Sequence, residues 1–162
     1  MSRVDCFRRE LLLMGTYSIL LKCSKRFRVK LGCLGYVSVK RGHYVYTGSA
    51  LGKGPTSLEG RINRHRSRSK TIRWHIDHLT LRREIRLEGS VYIRSRARLE
   101  CRINMAVLER LHGNPILQHA GASDCRCPAH LVRVAGPTDG DLINHLERIY
   151  ARFGKPIVNR YL

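Results

Sequence analysis

Two short strings in this chain mirror one another about thirty residues apart, Gly15-Thr16-Tyr17 and Tyr46-Thr47-Gly48; Arg61 and His65 follow at the spacing of one helical turn, and then Glu100. Phenols, a guanidinium, an imidazole and a carboxylate are the parts that hydrolysis of a phosphodiester calls for: an oriented water, a group to take its proton, and positive charge against the pentavalent transition state. A guanidinium such as that of Arg61 is planar and meets two phosphate oxygens at once. A carboxylate such as that of Glu100 holds a hard divalent cation, Mg2+ or Mn2+, that keeps several of its waters. One carboxylate rather than a cluster points to a single-metal mechanism. Each residue also has a plainer use. Tyr17 and Tyr46 fit half-buried strand positions, Arg61 fits a solvated surface, and Glu100 fits a helix-surface pair with Arg96 or Arg102, an arrangement worth little.

For these side chains to meet, the chain between them must fold as strands and then helices. Gly15 to Cys23 is rich in β-branched and apolar residues and predicts a strand, Arg26 to Leu31 predicts a second, and after the turn signal Lys40-Arg41-Gly42 the segment Tyr44 to Gly48 predicts a third that pairs with the first. The character then changes. A loop over Ser49 to Ser57, with Gly52, Gly54 and Pro55, leads into a helix over Leu58 to His65, on which Leu58, Ile62 and His65 recur at helical spacing. Arg73 to Leu79 predicts a short helix, Glu84 to Ser95 a strand, and Leu99 to Leu111 a helix with Leu99, Ile103, Ala106, Val107 and Arg110 along one face. Thr138 to Phe153 predicts a last helix whose Thr-Asp-Gly-Asp start suits an N-cap. The order β, β, β, α, α, β, α, β, α belongs to a mixed α+β domain with an antiparallel sheet.

Composition narrows the partners. Among 162 residues there are 31 Lys and Arg against 12 Asp and Glu, a formal net charge of +19, with a pI of about 10.6. That surplus makes a positive field that draws polyanions, and nucleic acid is the partner it points to; a merely solvated basic surface is the alternative. The basic residues are scattered and no long amphipathic helix offers an apolar face, so membrane binding is not expected. The apolar run Leu11 to Met14 ends at Gly15, too short for a signal peptide or a spanning helix, and predicts an intracellular, cytoplasmic protein. In that compartment the six cysteines (Cys6, Cys23, Cys33, Cys101, Cys125, Cys127) are expected as thiols or metal ligands rather than disulfides. With 43% hydrophobic residues and no repeat or Pro/Gly/Ser-rich linker, one domain is expected.

Three further groups stand out. The densest basic stretch, Arg64 to Arg73, abuts the Arg61 helix and predicts a phosphate-tracking groove with Arg64, Arg66, Arg68, Lys70 and Arg73 as substrate contacts. Next to it, His75 and Asp77 are candidates to position substrate or Arg61, while Trp74 reads as core rather than as a base-stacking platform. Finally, Cys125-Arg126-Cys127-Pro128-Ala129-His130 offers Cys125, Cys127 and His130 as three zinc ligands, with Cys101 or His75 as the fourth. Packing and hydrogen bonding near the site is the competing use of those residues, and zinc is ranked below Mg2+ or Mn2+ as cofactor.

The Gly-x-Tyr and Tyr-x-Gly pair, the helical Arg and the later Glu together resemble the GIY-YIG nuclease superfamily. More narrowly, Tyr-Val-Tyr-Thr-Gly-Ser-Ala-Leu-Gly, Arg-x-x-Arg-His, Trp-His-Ile-Asp-x-Leu, Glu-Cys and Ser-Asp-Cys-x-Cys-x-x-His-Leu are similar to its compact Uri-type branch, the DUF123 domain, from Gly15 to Val134. Thr16 and Thr47 stand where the superfamily name has isoleucine; on a strand these positions alternate away from the tyrosines. The resemblance implies a three-stranded antiparallel sheet flanked by helices, with residues 1–14 as an extension, 15–136 as the nuclease-like domain and 137–162 as a helix and tail packed on it. It implies a metal-dependent endonuclease acting on DNA, with Tyr17 orienting or deprotonating the attacking water, Tyr46 supporting it from the adjacent strand, and Arg61 and a Glu100-bound cation balancing charge. His65, sharing a helix face with Arg61, is then placed to hydrogen-bond the tyrosine hydroxyl. The superfamily's late Asn has its nearest counterpart in Asn114, whose Gly-Asn-Pro setting reads as a turn. A non-catalytic basic nucleic-acid-binding module is the competing function.

Overall fold

The computed structural model describes residues 13–135 and 141–161. Its centre is β1 (Gly15–Cys23), in which seven consecutive residues are buried. A strand buried on both faces needs cover above and below, and its sequence then reads as a continuous apolar run instead of an alternation. Antiparallel neighbours β4 (Gly42–Ala50) and β5 (Ile85–Arg94) flank it, putting Tyr17 opposite Gly48 on one side and Tyr92 on the other. The sheet grows outward through β7 (Leu131–Val134) and β6 (Asn114–Pro115) beyond β4, and through β8 (Ile157–Arg160) beyond β5.

The sheet therefore has six strands in the order β6-β7-β4-β1-β5-β8, not three. The expected strand over Arg26 to Leu31 is present as β2 (Phe27–Lys30), but it pairs with β3 (Tyr36–Val39) in a separate two-stranded ribbon and takes no place beside β1. Four-residue strands separated by a turn find their hydrogen bonds in each other first.

Helices cover the sheet. α1 (Leu58–Arg66) starts where the Ser57 hydroxyl accepts from the Gly60 N–H, and it buries Leu58, Ile62 and His65. A single turn, α2 (Asp77–Thr80), follows, shorter than the sequence predicts because Trp74 to Ile76 approach it as a bend and a turn. α3 (Glu100–Arg110) buries Ile103, Asn104, Ala106 and Val107 and packs on β4. α4 (Leu142–Tyr150) packs on β5 and β1, with Tyr150 donating to the Ser18 hydroxyl at 2.8 Å. Its cap is Asp141, which accepts from the Ile143 N–H; the Thr138 to Gly140 part of the expected cap lies outside the described residues, as does Cys6. Among the described residues no helix is long and apolar enough to cross a membrane.

Alternation along β1 decides what its side chains meet. Ser18 turns to the α4 side, where its hydroxyl also pairs with that of Thr47 at 2.8 Å. Tyr17, one residue back, turns to α1. Gly48 faces it across the strands, and a Cβ there would sit 2.7 Å from the Tyr17 hydroxyl oxygen. The absence of a side chain at the Gly of Tyr-x-Gly is thus what leaves room for the phenol. Gly48→Ala is expected to destabilise the fold by about 1–3 kcal/mol, read by urea unfolding. Combining it with Tyr17→Phe, which deletes the atom nearest the added methyl, is expected to recover part of that loss; an unchanged midpoint for Gly48→Ala would mean the phenol has room to move.

Candidate active site

Tyr17 and Tyr46 sit on adjacent strands with ring centroids 6.4 Å apart, and α1 brings His65 against both, 5.6 Å from Tyr17 and 5.4 Å from Tyr46. The Tyr17 hydroxyl and His65 Nε2 are 2.8 Å apart, the hydrogen bond expected from the shared helix face. Burial is the largest influence on all three. It raises the Tyr17 phenol well above its ordinary range, with the Tyr46 phenol adding to it and the Arg61 guanidinium opposing. Tyr46 is raised for the same reason, with Glu100 adding to it. His65 is lowered to about 3 by burial, by Lys70 and by its arginine neighbours, with Asp77 opposing. A neutral imidazole carries a proton on one nitrogen only; in the tautomer protonated at Nδ1, Nε2 accepts from Tyr17.

These two tyrosines differ in access. Tyr17 is fully buried, whereas Tyr46, 7% exposed, lines a cleft of about 410 Å³ together with Ser49, Arg61, Trp74, Glu100 and Asp124. Arg61 lies over the Trp74 ring at 4.9 Å, and Arg64 approaches the same ring at 4.8 Å. Trp74 packs against the core, as its sequence suggests, and is also a wall of the cleft and a platform for two guanidinium groups. Arg73 and His75 line the same cleft, and His75 Nδ1 accepts from the Gly121 N–H at 3.1 Å. Gly121 has φ 76°, and a Cβ there would lie 2.9 Å from the Tyr46 ring, so the loop from α3 to β7 presses on Tyr46 through a glycine.

Across the cleft, Glu100 opens α3. Its Oε2 accepts from the Ser49 hydroxyl at 2.5 Å and its Oε1 from His130 Nδ1–H at 2.6 Å. Burial pushes this carboxyl up, but those two hydrogen bonds, with Arg61, pull it below the usual carboxylate range, so it is ionised near neutral pH. The Glu100 side chain is 20% exposed and reaches the cleft on its free side. Neither Ser49 nor His130 as a partner of Glu100 was legible beforehand. A serine one residue past a Tyr-Thr-Gly string and a histidine thirty residues downstream have no periodic relation to a helix start.

The basic stretch after α1 does not form one open groove. Arg64 and Lys70 turn inward: Arg64 donates to Asp77 Oδ2 at 2.6 Å, and Lys70, 2% exposed, donates to the carbonyls of Arg64 and His65 that end α1 and to the Thr80 hydroxyl. Arg68 gives its guanidinium to the carbonyls of Thr80, Arg82 and Ile85. Arg66, Arg68 and Arg73 of the expected phosphate contacts are exposed, but Arg68 is tied to those carbonyls and Arg66 lies away from the cleft, over the Tyr161 ring at 4.3 Å. The physical reason is the fully buried Asp77, which takes the cations nearest to it.

Behind Glu100 the next residue, Cys101, joins Cys125, Cys127 and His130; one ligand atom from each lies within 4.8 Å of all the others. His75, the other candidate for the fourth position, is not in that group and faces the cleft instead. Asn104, passed over in the sequence as a polar residue inside a helix, is buried and donates to the Ala129 carbonyl at 2.7 Å, holding the chain beside His130. Asn114 is exposed and opens the two-residue strand β6 where its Gly-Asn-Pro setting predicts a turn; its amide donates to the His112 carbonyl at 3.3 Å, and it does not line the cleft.

An α+β chain with an antiparallel sheet, a phenol and imidazole pair, and a carboxylate and guanidinium across one polar cleft is the class these observations define. The family described as "Domain of unknown function DUF123" matches residues 16–153, and the chain belongs to it. No curated protein and no solved structure matches the chain.

Proposed function

We propose that this protein is a metal-dependent endonuclease that hydrolyses phosphodiester bonds in DNA, as its resemblance to GIY-YIG nucleases implies. The observation that carries the reading is the hydrogen bond between Tyr17 and His65 behind a cleft that Arg61 and Tyr46 share with Glu100. In this reading the scissile phosphate enters between Arg61 and Glu100, with Arg73 at the rim and Arg66 farther out along the bound strand. Glu100, partly exposed and ionised with Asp124 nearby, suits Mg2+ or Mn2+ held largely by water. Such a cation would supply positive charge against the charge that develops on the phosphate.

The protein's own groups supply the rest. Tyr46 faces the cleft and orients the attacking water. Tyr17 is too weakly acidic to serve as phenolate at neutral pH, so it acts as a relay, accepting at its oxygen the proton released by the attacking water while its own passes to His65 Nε2. His65 starts as a poor base because it is buried and, next, because cations surround it; a phosphate bound at Arg61 offsets part of that field. The Arg61 guanidinium meets the charge that develops on the phosphate.

The test is nicking of supercoiled plasmid and cleavage of single-stranded and branched DNA with Mg2+ or Mn2+. Cleavage is expected to stop with EDTA, and Tyr17→Phe is expected to slow it by about a hundredfold. A Tyr17→Phe rate equal to wild type would move proton transfer to another group. One observation favours a second reading, a non-catalytic nucleic-acid-binding module: both Glu100 oxygens already accept hydrogen bonds within the protein. That module would keep salt-sensitive DNA affinity and show no metal-dependent cleavage.

A further inference from the structure

We infer that Cys101, Cys125, Cys127 and His130 bind one Zn2+, and that the bound metal makes His130 a fixed tether for Glu100. The four ligand atoms come from two places in the fold. Cys101 is in the first turn of α3, and the other three are in the loop before β7. That loop is closed by its own backbone, with the His119 N–H donating to the Pro128 carbonyl at 2.7 Å and the His130 N–H to the Ala120 carbonyl at 2.9 Å. The His130 carbonyl accepts from the Thr47 N–H at 3.0 Å, which fixes the loop to β4, and Asn104 fixes it to α3. The set is thus held before any ion arrives.

Its dimensions fit. Zinc bound to three thiolates and one imidazole, at bond lengths of about 2.3 Å and 2.0 Å, makes a tetrahedron with edges of roughly 3.5–3.8 Å. His130 Nε2 is 3.5 Å from the Cys125 sulfur and 3.9 Å from the Cys101 sulfur, and no pair in the set exceeds 4.8 Å. Closing onto an ion takes rotations of about an ångström. Soft thiolates with one imidazole in tetrahedral array select zinc over the hard cations that suit a carboxylate. Four protein ligands leave no open position, so the ion is structural.

The ring of His130 then has two assigned ends. With Nε2 on the metal, the remaining proton can reside only on Nδ1, which lies 2.6 Å from Glu100 Oε1. Without the metal, the imidazole is free to place that proton on either nitrogen, and a bare Nδ1 would meet the carboxylate with a lone pair. Zinc removes that choice, so Glu100 always finds a donor and its oxygens point into the cleft in one orientation. In this arrangement His130 is a positioning residue for Glu100.

The test uses the full chain and needs no cleavage assay, so its result is independent of the proposed nuclease activity. Protein expressed with added zinc is expected to carry about one equivalent, and Co2+ exchanged into it is expected to show the tetrahedral d–d and thiolate charge-transfer absorption of a three-sulfur site. Cys127→Ser is expected to lose both. Less than a tenth of an equivalent of zinc, or content unchanged in Cys127→Ser, would overturn the metal site. For the tether, zinc affinity of Glu100→Gln, measured by competition with a chromophoric chelator, is expected to fall by about 10–100-fold, because a neutral amide makes the histidine a weaker ligand. His130→Cys serves as the control: it keeps a four-ligand site, and there Glu100→Gln is expected to change nothing. Equal zinc affinity for wild type and Glu100→Gln would overturn the tether and leave the metal site standing.

Discussion

Replacing Arg61 by alanine is expected to lower the rate of metal-dependent DNA cleavage by about a thousandfold while leaving the fold intact. Three features set that magnitude. The guanidinium lines the cleft opposite Glu100, it stacks on Trp74 at 4.9 Å, and its Nε is buried with no partner among the described residues. A donor held stationary on an aromatic face, with hydrogen-bonding capacity unspent, stabilises developing charge without having to reorganise. Arg61→Lys is expected to recover only a small part of the rate, because an ammonium keeps the charge but loses the planar fork. Measuring both under single-turnover conditions separates the roles: equal rates for Arg61→Lys and wild type would reduce the residue to a point charge, and an unaffected Arg61→Ala would remove it from the chemistry.

The second large effect concerns stability. Asp77→Ala is expected to destabilise the protein by about 3–5 kcal/mol, since it leaves the inward cations without their counter-charge. The carboxylate is fully buried, accepts from the N–H groups of Arg73 and Trp74, and takes Arg64 at 2.6 Å and Lys70 at 3.5 Å. Burial raises its pKa, but those two N–H groups, Lys70 and Arg64 outweigh burial and leave it below its ordinary value. A carboxyl lowered on folding contributes stability that is present above the unfolded value near pH 4 and is lost as pH falls through the lowered one. His65 works over a higher window. Its folded pKa is depressed to about 3, so below about pH 6.5 the unfolded chain binds a proton that the folded chain refuses, and stability declines with acidification. Urea unfolding from pH 7 to pH 3 is expected to show both windows in wild type and a shallower lower one in Asp77→Asn, to which Glu100, also lowered, still contributes. A lower limb of undiminished depth in Asp77→Asn would remove Asp77 from it.

Long, regular pieces of this fold were readable from the residues. β1, α3 and β5 lie within a residue of where apolar runs and helical spacing put them, because long elements carry their own pattern. Among the short pieces β2 was readable, and β3, β6 and β8 were not. β3, β6 and β8 have four, two and four residues, and β8 follows Gly154-Lys155-Pro156, a string that reads as a stop. β6 and β8 take their strand character from an edge already waiting in the sheet, and β3 takes its from β2. At the candidate site, the types and order of Tyr17, Tyr46, Arg61, His65 and Glu100 were legible, and the described residues bring them to one side of the sheet around the cleft and just behind it. What stayed hidden was the inward turn of Arg64 and Lys70 onto Asp77. Charge along a chain says that cations are present, while a single buried acid such as Asp77 decides which of them reach solvent.

Glu100 and Cys101 are consecutive residues on the opening turn of α3, one turned to the cleft and the other to the sulfur cluster. A helix moves as a rod, so any slide or tilt of α3 is felt at both places together. The first turn of α3 is therefore under a double constraint: one residue inserted or deleted between Cys101 and Ile103 would rotate both side chains by about a hundred degrees relative to the face that Ile103, Ala106 and Val107 bury. Such a change is expected to remove carboxylate and thiolate in a single step, whereas the ribbon of β2 and β3, outside the main sheet, has no such bond to the cleft.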